Sequence, residues 1–285
     1  MTRSLIVTGD DFGISSDVNQ AILQAHEQGI LTSASLMVTG AACDEAVRLA
    51  YLHPNMAVGL HLVLVSGRSA LPARQIPHLV DGSGRFSSAP VRAGLRYQFR
   101  RAAREELRRE IRAQLALFKE TGLPLAHVDG HKHMHMHPVV LEILVECAEE
   151  FGIRAIRLPK ENLSVGLRVN RSRLLTQIAY AAIFGSLRRF GESRLRPAGI
   201  EFADEVYGLL QTGRMTEDYL LKLIPRISGR RVEIYSHPTM DPEMDSPKGA
   251  SRLQLEALMS DPVRAALETN GFKLASYGDA ALKSS

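Results

Sequence analysis

Short apolar runs that end in an acid or a histidine, each followed by an amphipathic stretch, recur along this chain, and that alternation limits its fold more than anything else. Ser4–Thr8 ends in Gly9-Asp10-Asp11-Phe12-Gly13, Ala57–Leu62 carries His61 near its end, and Val232–Tyr235 ends in Ser236-His237-Pro238. Compact apolar runs of this length read as buried parallel strands, and catalytic groups gather at the carboxyl ends of such strands. Between them, Val18, Ile22, Leu23 and Ala25 keep helical spacing until Gly29, and Leu107, Ile111, Leu115 and Phe118 line one face of a helix over Ala103–Thr121. The charges on that second helix read as a solvated face. No G-x-G-x-x-G follows the first strand and no Walker A sequence occurs, which disfavours nucleotide folds. The expectation is one α/β domain over residues 1–285, a TIM-like (β/α) barrel of seven to eight strands, distorted or incomplete.

The densest chemistry lies in Ala126–Pro138, which packs five of the ten histidines into eleven residues around Asp129. Imidazole is a common transition-metal ligand, so a metal site is the first expectation. Extended at roughly 3.3 Å per residue, the odd-numbered positions from His127 to His137 would span on the order of 30 Å, so one or two at most can touch a single ion. Lys132 stands where a zincin would carry its glutamate, and Gly130 suits a strand end. We therefore expect a strand ending near Asp129, a ligand-bearing loop, and a helix opening at Pro138.

Composition narrows the setting. Cys43 and Cys147 are far apart, which argues against a disulfide framework or a thiolate zinc site and for a reducing compartment, so the expected location is the cytoplasm. The net charge of +4 is accounted for by Leu163–Gly199, where seven arginines face only Glu192. With no nucleic-acid motif present, the surplus favours an acidic or lipid surface over nucleic acid, with peripheral contact at the inner membrane face placed on the basic amphipathic segment 163–196. Ser66–Ala93, rich in Gly, Pro and Ser, reads as a long lid loop above the barrel mouth.

Asp10, Asp11, His61, the His131 cluster and His237 together supply enough groups for a metal, a base and an acid. At these residues the chain resembles the YdjC-like carbohydrate deacetylases. The resemblance rests on Thr8–Gly13, Gly59-Leu60-His61, His127–His135 and Ser236-His237-Pro238, and runs from residue 4 to about 277. Leu31–Val38, Gly59–Gly67, Pro90–Tyr97 and the His-Met-His-Met-His run look most like the hopanoid-biosynthesis branch, which is associated with removing acetyl from an N-acetylglucosaminyl hopanoid. The resemblance implies that Asp11, His61 and His131 bind one divalent ion, magnesium or zinc, and that Asp10 is the general base. By analogy with the more distant NodB-like deacetylases, His237 would be the general acid. Asp129, His133 and His135 are then expected behind the ligands or beside the substrate, and His127 and His137 in structural roles. Gly130, where the chitooligosaccharide branch tends to have Ser, and the extra His137 depart from the family pattern. A deacetylase of soluble chitooligosaccharides is one alternative; a metal-dependent sugar or lipid binding protein without turnover is another.

Overall fold

The computed structural model describes residues 3–169, 174–241 and 251–279. Seven strands form one parallel sheet: β1 (Arg3–Phe12), β2 (Ser33–Leu36), β3 (Ala57–Leu62), β4 (Val128–Gly130), β5 (Glu205–Tyr207), β6 (Arg231–Ser236) and β7 (Phe272–Ala275). The order is β4-β3-β2-β1-β6-β5, and β7 pairs with the first half of β1 while β2 takes the second half. The helices are α1 (Ser16–Gln28), α2 (Cys43–Leu52), α3 (Pro90–Phe99), α4 (Arg101–Glu120), α5 (Pro138–Glu146), α6 (Ala148–Phe151), α7 (Leu163–Val169), α8 (Leu174–Leu195), α9 (Glu217–Leu223), α10 (Arg252–Met259) and α11 (Asp261–Thr269). Between β4 and β5 the wall is carried by single parallel bridges, Val128 to Ile156 and Ala155 to Glu201, rather than by full strands. The result is a curled half-barrel, which is the distorted form of the expected architecture.

Local signals explain most elements. Strand β1 is buried along nearly its whole length, as a strand covered on both faces must be. Ser15 caps α1 by accepting from the Val18 amide, and Val18, Ala21, Ile22 and Ala25 bury the expected stripe. Pro138 opens α5 directly after the histidine run, which turns tightly over His131–Met136 with left-handed backbone at Lys132 and His133.

Three expectations need correction. The segment read as a loop over 66–93 ends earlier, because Pro90 to Ala93 form the first turn of α3. Helix α4 is not simply solvated on its charged side: Glu106 and Glu110 are buried, where Glu110 accepts from the Ala70 and Leu71 amides and Glu106 from the His78 amide. Buried carboxylates are stable only when bonded in this way, and here they strap the segment after β3 to the helix. In the basic segment, Arg171 and Arg173 lie outside the described residues. Arg188 is buried, with Nε on Glu192 at 2.5 Å and its other nitrogens on the Leu158 and Ala203 carbonyls, so it holds α8 to the barrel instead of facing a membrane.

Candidate metal and catalytic site

The carboxyl ends of β1, β3, β4 and β6 meet at the floor of a cavity of about 820 Å³. In a regular strand adjacent side chains point to opposite faces. At the end of β1 the register with β2 slips between Gly9 and Phe12, and Asp11 takes a left-handed φ of 65°. Aspartate tolerates that conformation better than most residues, and the kink lets both Asp10 and Asp11 reach the cavity.

His61 on β3 lies opposite Asp129 on β4 in the sheet register, with His61 Nδ1 2.7 Å from Asp129 Oδ1. That bond leaves His61 Nε2 directed at Asp11 Oδ1, 3.2 Å away, and His131 Nδ1 reaches the same oxygen at 2.9 Å. One carboxylate and two imidazoles thus converge, with ligand atoms within 4.8 Å of one another. Burial opposes ionisation of Asp11, but the charge and hydrogen bond of His131, together with His61, hold its carboxyl well below the usual range. Burial likewise opposes a charge on His61, yet Asp129, Asp11 and Asp10 outweigh it and hold the imidazole well above its ordinary value. A site that draws a positive charge so strongly between its ligand atoms suits a cation. A carboxylate behind a histidine is also the arrangement that orients a ligand imidazole toward a metal.

Beneath this trio lies a residue the sequence reading overlooked. Arg157 is fully buried and forks onto Asp10, with Nη1–Oδ2 at 2.7 Å and Nη2–Oδ1 at 2.8 Å. The same guanidinium meets Asp129 Oδ2 at 2.6 Å and Glu233 Oε1 at 2.8 Å. Burial disfavours the Asp129 carboxylate, but Arg157 and His61 reverse the balance and keep it well below the usual range. Glu233 also accepts from Thr8 Oγ1 at 2.8 Å and from the Tyr277 hydroxyl at 2.6 Å. Ser35 donates to Asp129 at 2.8 Å and lies 3.0 Å from His127 Nε2, whose ring stacks on Tyr277 at 4.7 Å. The signal for Arg157 and Glu233 was present: each is a charged residue inside an apolar run, Ala155-Ile156-Arg157-Leu158 and Val232-Glu233-Ile234.

The other candidates separate. His237 lines the cavity, and its Nε2 is 3.9 Å from Asp10 Oδ2. His133 also lines it, held by Nε2 at 2.7 Å from the Tyr235 hydroxyl, and burial drives its pKa well down, so the ring is neutral. His135 does not reach the cavity: it is buried, bonds the Arg157 carbonyl at 2.9 Å, and is pushed down to about 4 by burial. It therefore positions the Arg157 backbone from behind the cavity wall. His137, expected to be structural, lines the cavity while bonding the Gly94 carbonyl at 3.1 Å. The walls above the floor come from α3 and α8, not from residues 66–89.

The family described as YdjC-like protein matches residues 4–269. A carbohydrate deacetylase of Geobacillus stearothermophilus is 33% identical over 282 residues, covering 97% of this chain and 98% of that protein. A carbohydrate deacetylase of Brevibacillus brevis is 44% identical over 155 residues, a match that spans 54% of this chain and only 59% of the relative. A crystal structure from Enterococcus faecalis V583, provisionally described as a cellobiose-phosphate cleavage protein, has a TM-score of 0.69 at 24% identity and covers 97% of this chain and 98% of its own, so the two share a fold. With the family matched across nearly its whole length and a relative aligned end to end, this chain belongs to the YdjC-like protein family.

Proposed function

We propose that this chain is a metal-dependent carbohydrate deacetylase that hydrolyses the N-acetyl group of an N-acetylglucosamine unit, most favourably one carried by a glycosylated hopanoid lipid. The observation that carries the reading is the meeting of Asp10, Asp11, His61, His131 and His237 on the floor of one cavity. Asp11, His61 and His131 would hold a divalent ion, and when bound it supplies Lewis acidity toward the acetamide carbonyl. A mixed imidazole and carboxylate set suits zinc or manganese as well as magnesium.

The chain's own residues supply the proton transfers. Arg157 grips both oxygens of Asp10 and fixes the plane of its carboxylate beside the cavity. Asp10 Oδ2 takes the proton of the attacking water as the water oxygen bonds to the carbonyl carbon. His237 Nε2, 3.9 Å from the same Asp10 oxygen, gives a proton to the amine nitrogen as the C–N bond breaks. Acetate and a free glucosamine amine result. His133, neutral and fixed by Tyr235, gives the cavity a rigid ring wall against which the sugar rests.

The upper walls favour a lipid-borne sugar over a soluble one. Leu95 on α3 and Tyr180, Ile183, Phe184 and Leu187 on α8 line them, and the chain has no tryptophan to stack on a second sugar ring. The test is acetate release from an N-acetylglucosaminyl lipid in micelles and from diacetylchitobiose, after chelation and after return of zinc or magnesium. We expect chelation to abolish turnover, one metal to restore it, and the glycolipid to be preferred. Faster turnover of the soluble sugar would transfer the assignment to chitooligosaccharides. Tight sugar binding without acetate release under any metal would leave a binding protein.

A further inference from the structure

The geometry points to a membrane-docking rim around the cavity mouth, built from α3 and α8 and suited to an anionic phospholipid surface. Helix α3 exposes Val91 at 75%, Leu95 at 57% and Phe99 at 78%, spaced to share one face. Helix α8 exposes Leu175 at 82%, Ile178 at 44% and Ile183 at 55%. Large apolar side chains this exposed mark an interaction surface when they cluster. These come from segments far apart in sequence, and both helices line the same cavity.

Charge supplies the second observation. From Gly82 to Arg104 the chain has Arg85, Arg92, Arg96, Arg100, Arg101 and Arg104 and no acid; α8 has no acid before Glu192. Arg92, Arg100 and Arg189 are exposed. An apolar strip flanked only by cations is the composition of an interfacial helix, whose apolar side enters the headgroup boundary while the nearby cations are drawn to anionic lipid. A second copy of the chain suits the surface poorly, because a two-fold contact sets a patch against itself and would bring arginine against arginine. No helix among the described residues is long and apolar enough to cross a membrane, so the contact is peripheral. Docking in this way places the cavity mouth against the headgroups and lets a lipid-borne sugar enter without leaving the bilayer.

The test is co-sedimentation of the metal-loaded protein with vesicles of phosphatidylcholine alone or mixed with phosphatidylglycerol, at low and high salt. Expected are binding to the anionic vesicles, weakening by salt, and a loss of about tenfold or more in the double variant Leu175→Glu, Ile178→Glu. Neither residue lines the cavity, so hydrolysis of a soluble acetylated sugar should be unchanged, which separates failure of docking from failure of the enzyme assignment. The triple variant Arg92→Gln, Arg100→Gln, Arg189→Gln should lose the preference for anionic vesicles. Wild-type protein that stays in the supernatant, or apolar variants that bind as tightly as wild type, would overturn the proposal. So would a dimer in light scattering that the double variant dissolves while vesicles are ignored, since the face would then belong to a second copy.

Discussion

Replacing Arg157 by methionine removes the guanidinium that joins Asp10, Asp129 and Glu233, and its consequence can be worked from the geometry. The side chains of Arg157, Asp129 and Glu233 are fully buried and that of Asp10 is 2% exposed, so water cannot take over the lost contacts. Breaking a buried pair by removing one partner costs about 3–5 kcal/mol. In a chain of this size 1 kcal/mol shifts the melting temperature by about 2–4 °C, so a fall of about 6–20 °C is expected at pH 8. The pH dependence gives the sharper test. In the native protein Asp129 is held well below its unfolded value, so its ionised form stabilises above that value and the gain is lost as pH falls through the lowered one. Without Arg157, only His61 and His127 oppose the burial of Asp129, and its carboxyl rises above its unfolded value of about 4. The variant then loses stability as pH rises through that interval, and its deficit should shrink on acidification. Thermal melts by circular dichroism at pH 5 and pH 8 read this directly. A deficit below about 1 kcal/mol at pH 8, or one equal at both pH values, would refute the reasoning. Arg157→Lys keeps a point charge without the fork and should recover only part of the loss.

Other consequences are simpler to measure. Asp10→Asn should leave metal content by elemental analysis intact and lower kcat by about 10²–10⁴-fold; loss of metal instead would move Asp10 into the ligand set. Asp129→Asn keeps all three candidate ligands but removes the carboxylate behind His61, and should weaken metal affinity about 10–100-fold by competition with a chelator. Glu161, whose Oε1 accepts from the Gly208, Leu209 and Leu210 amides, is pushed by burial from 4.5 up to about 7. An acid with a folded value above its unfolded one makes native stability fall as pH rises through that window, by on the order of 1 kcal/mol or more. Glu161→Gln keeps an acceptor and should flatten the slope, whereas melts with an unchanged slope would show that another group titrates there.

The fold was readable because its signals are local. Runs such as Leu5-Ile6-Val7 and Val232-Glu233-Ile234, each closed by a polar turn, are too short for helices and too apolar to be anything but buried strands. The positions of Asp10, Asp11, His61, His131 and His237 followed from the same fact, since parallel strands in neighbouring order bring their carboxyl ends together. What escaped were the buried charges inside apolar runs, Arg157 and Glu233, whose partners lie far along the chain. Arg157 finds Asp10 and Glu233 across 147 and 76 residues, and no periodicity encodes that. Arg188 and Glu110 misled for a converse reason: on a helix projection they fall among solvated charges, but a backbone carbonyl or amide from another segment waits at each, and burial becomes favourable. The histidine run also promised more ligands than it brings near Asp11. His131 alone from that run reaches Asp11, because left-handed turns at Lys132 and His133 carry the rest of the run away from it.

The kink at Asp11 has a consequence for how this position can change. Its carboxylate is aimed by a backbone torsion and not by the pleat of the strand, so conformation filters which residues can occupy the position before chemistry is tested. Valine, isoleucine or threonine would be forced out of the left-handed region and would drag Phe12 from its seat, spoiling the barrel end as well as the site. Asparagine tolerates the torsion, so Asp11→Asn subtracts a charge and little else. Among all substitutions in the site, that one separates electrostatic need from architectural need, and a survey of variants at this position should divide along torsional lines rather than by polarity.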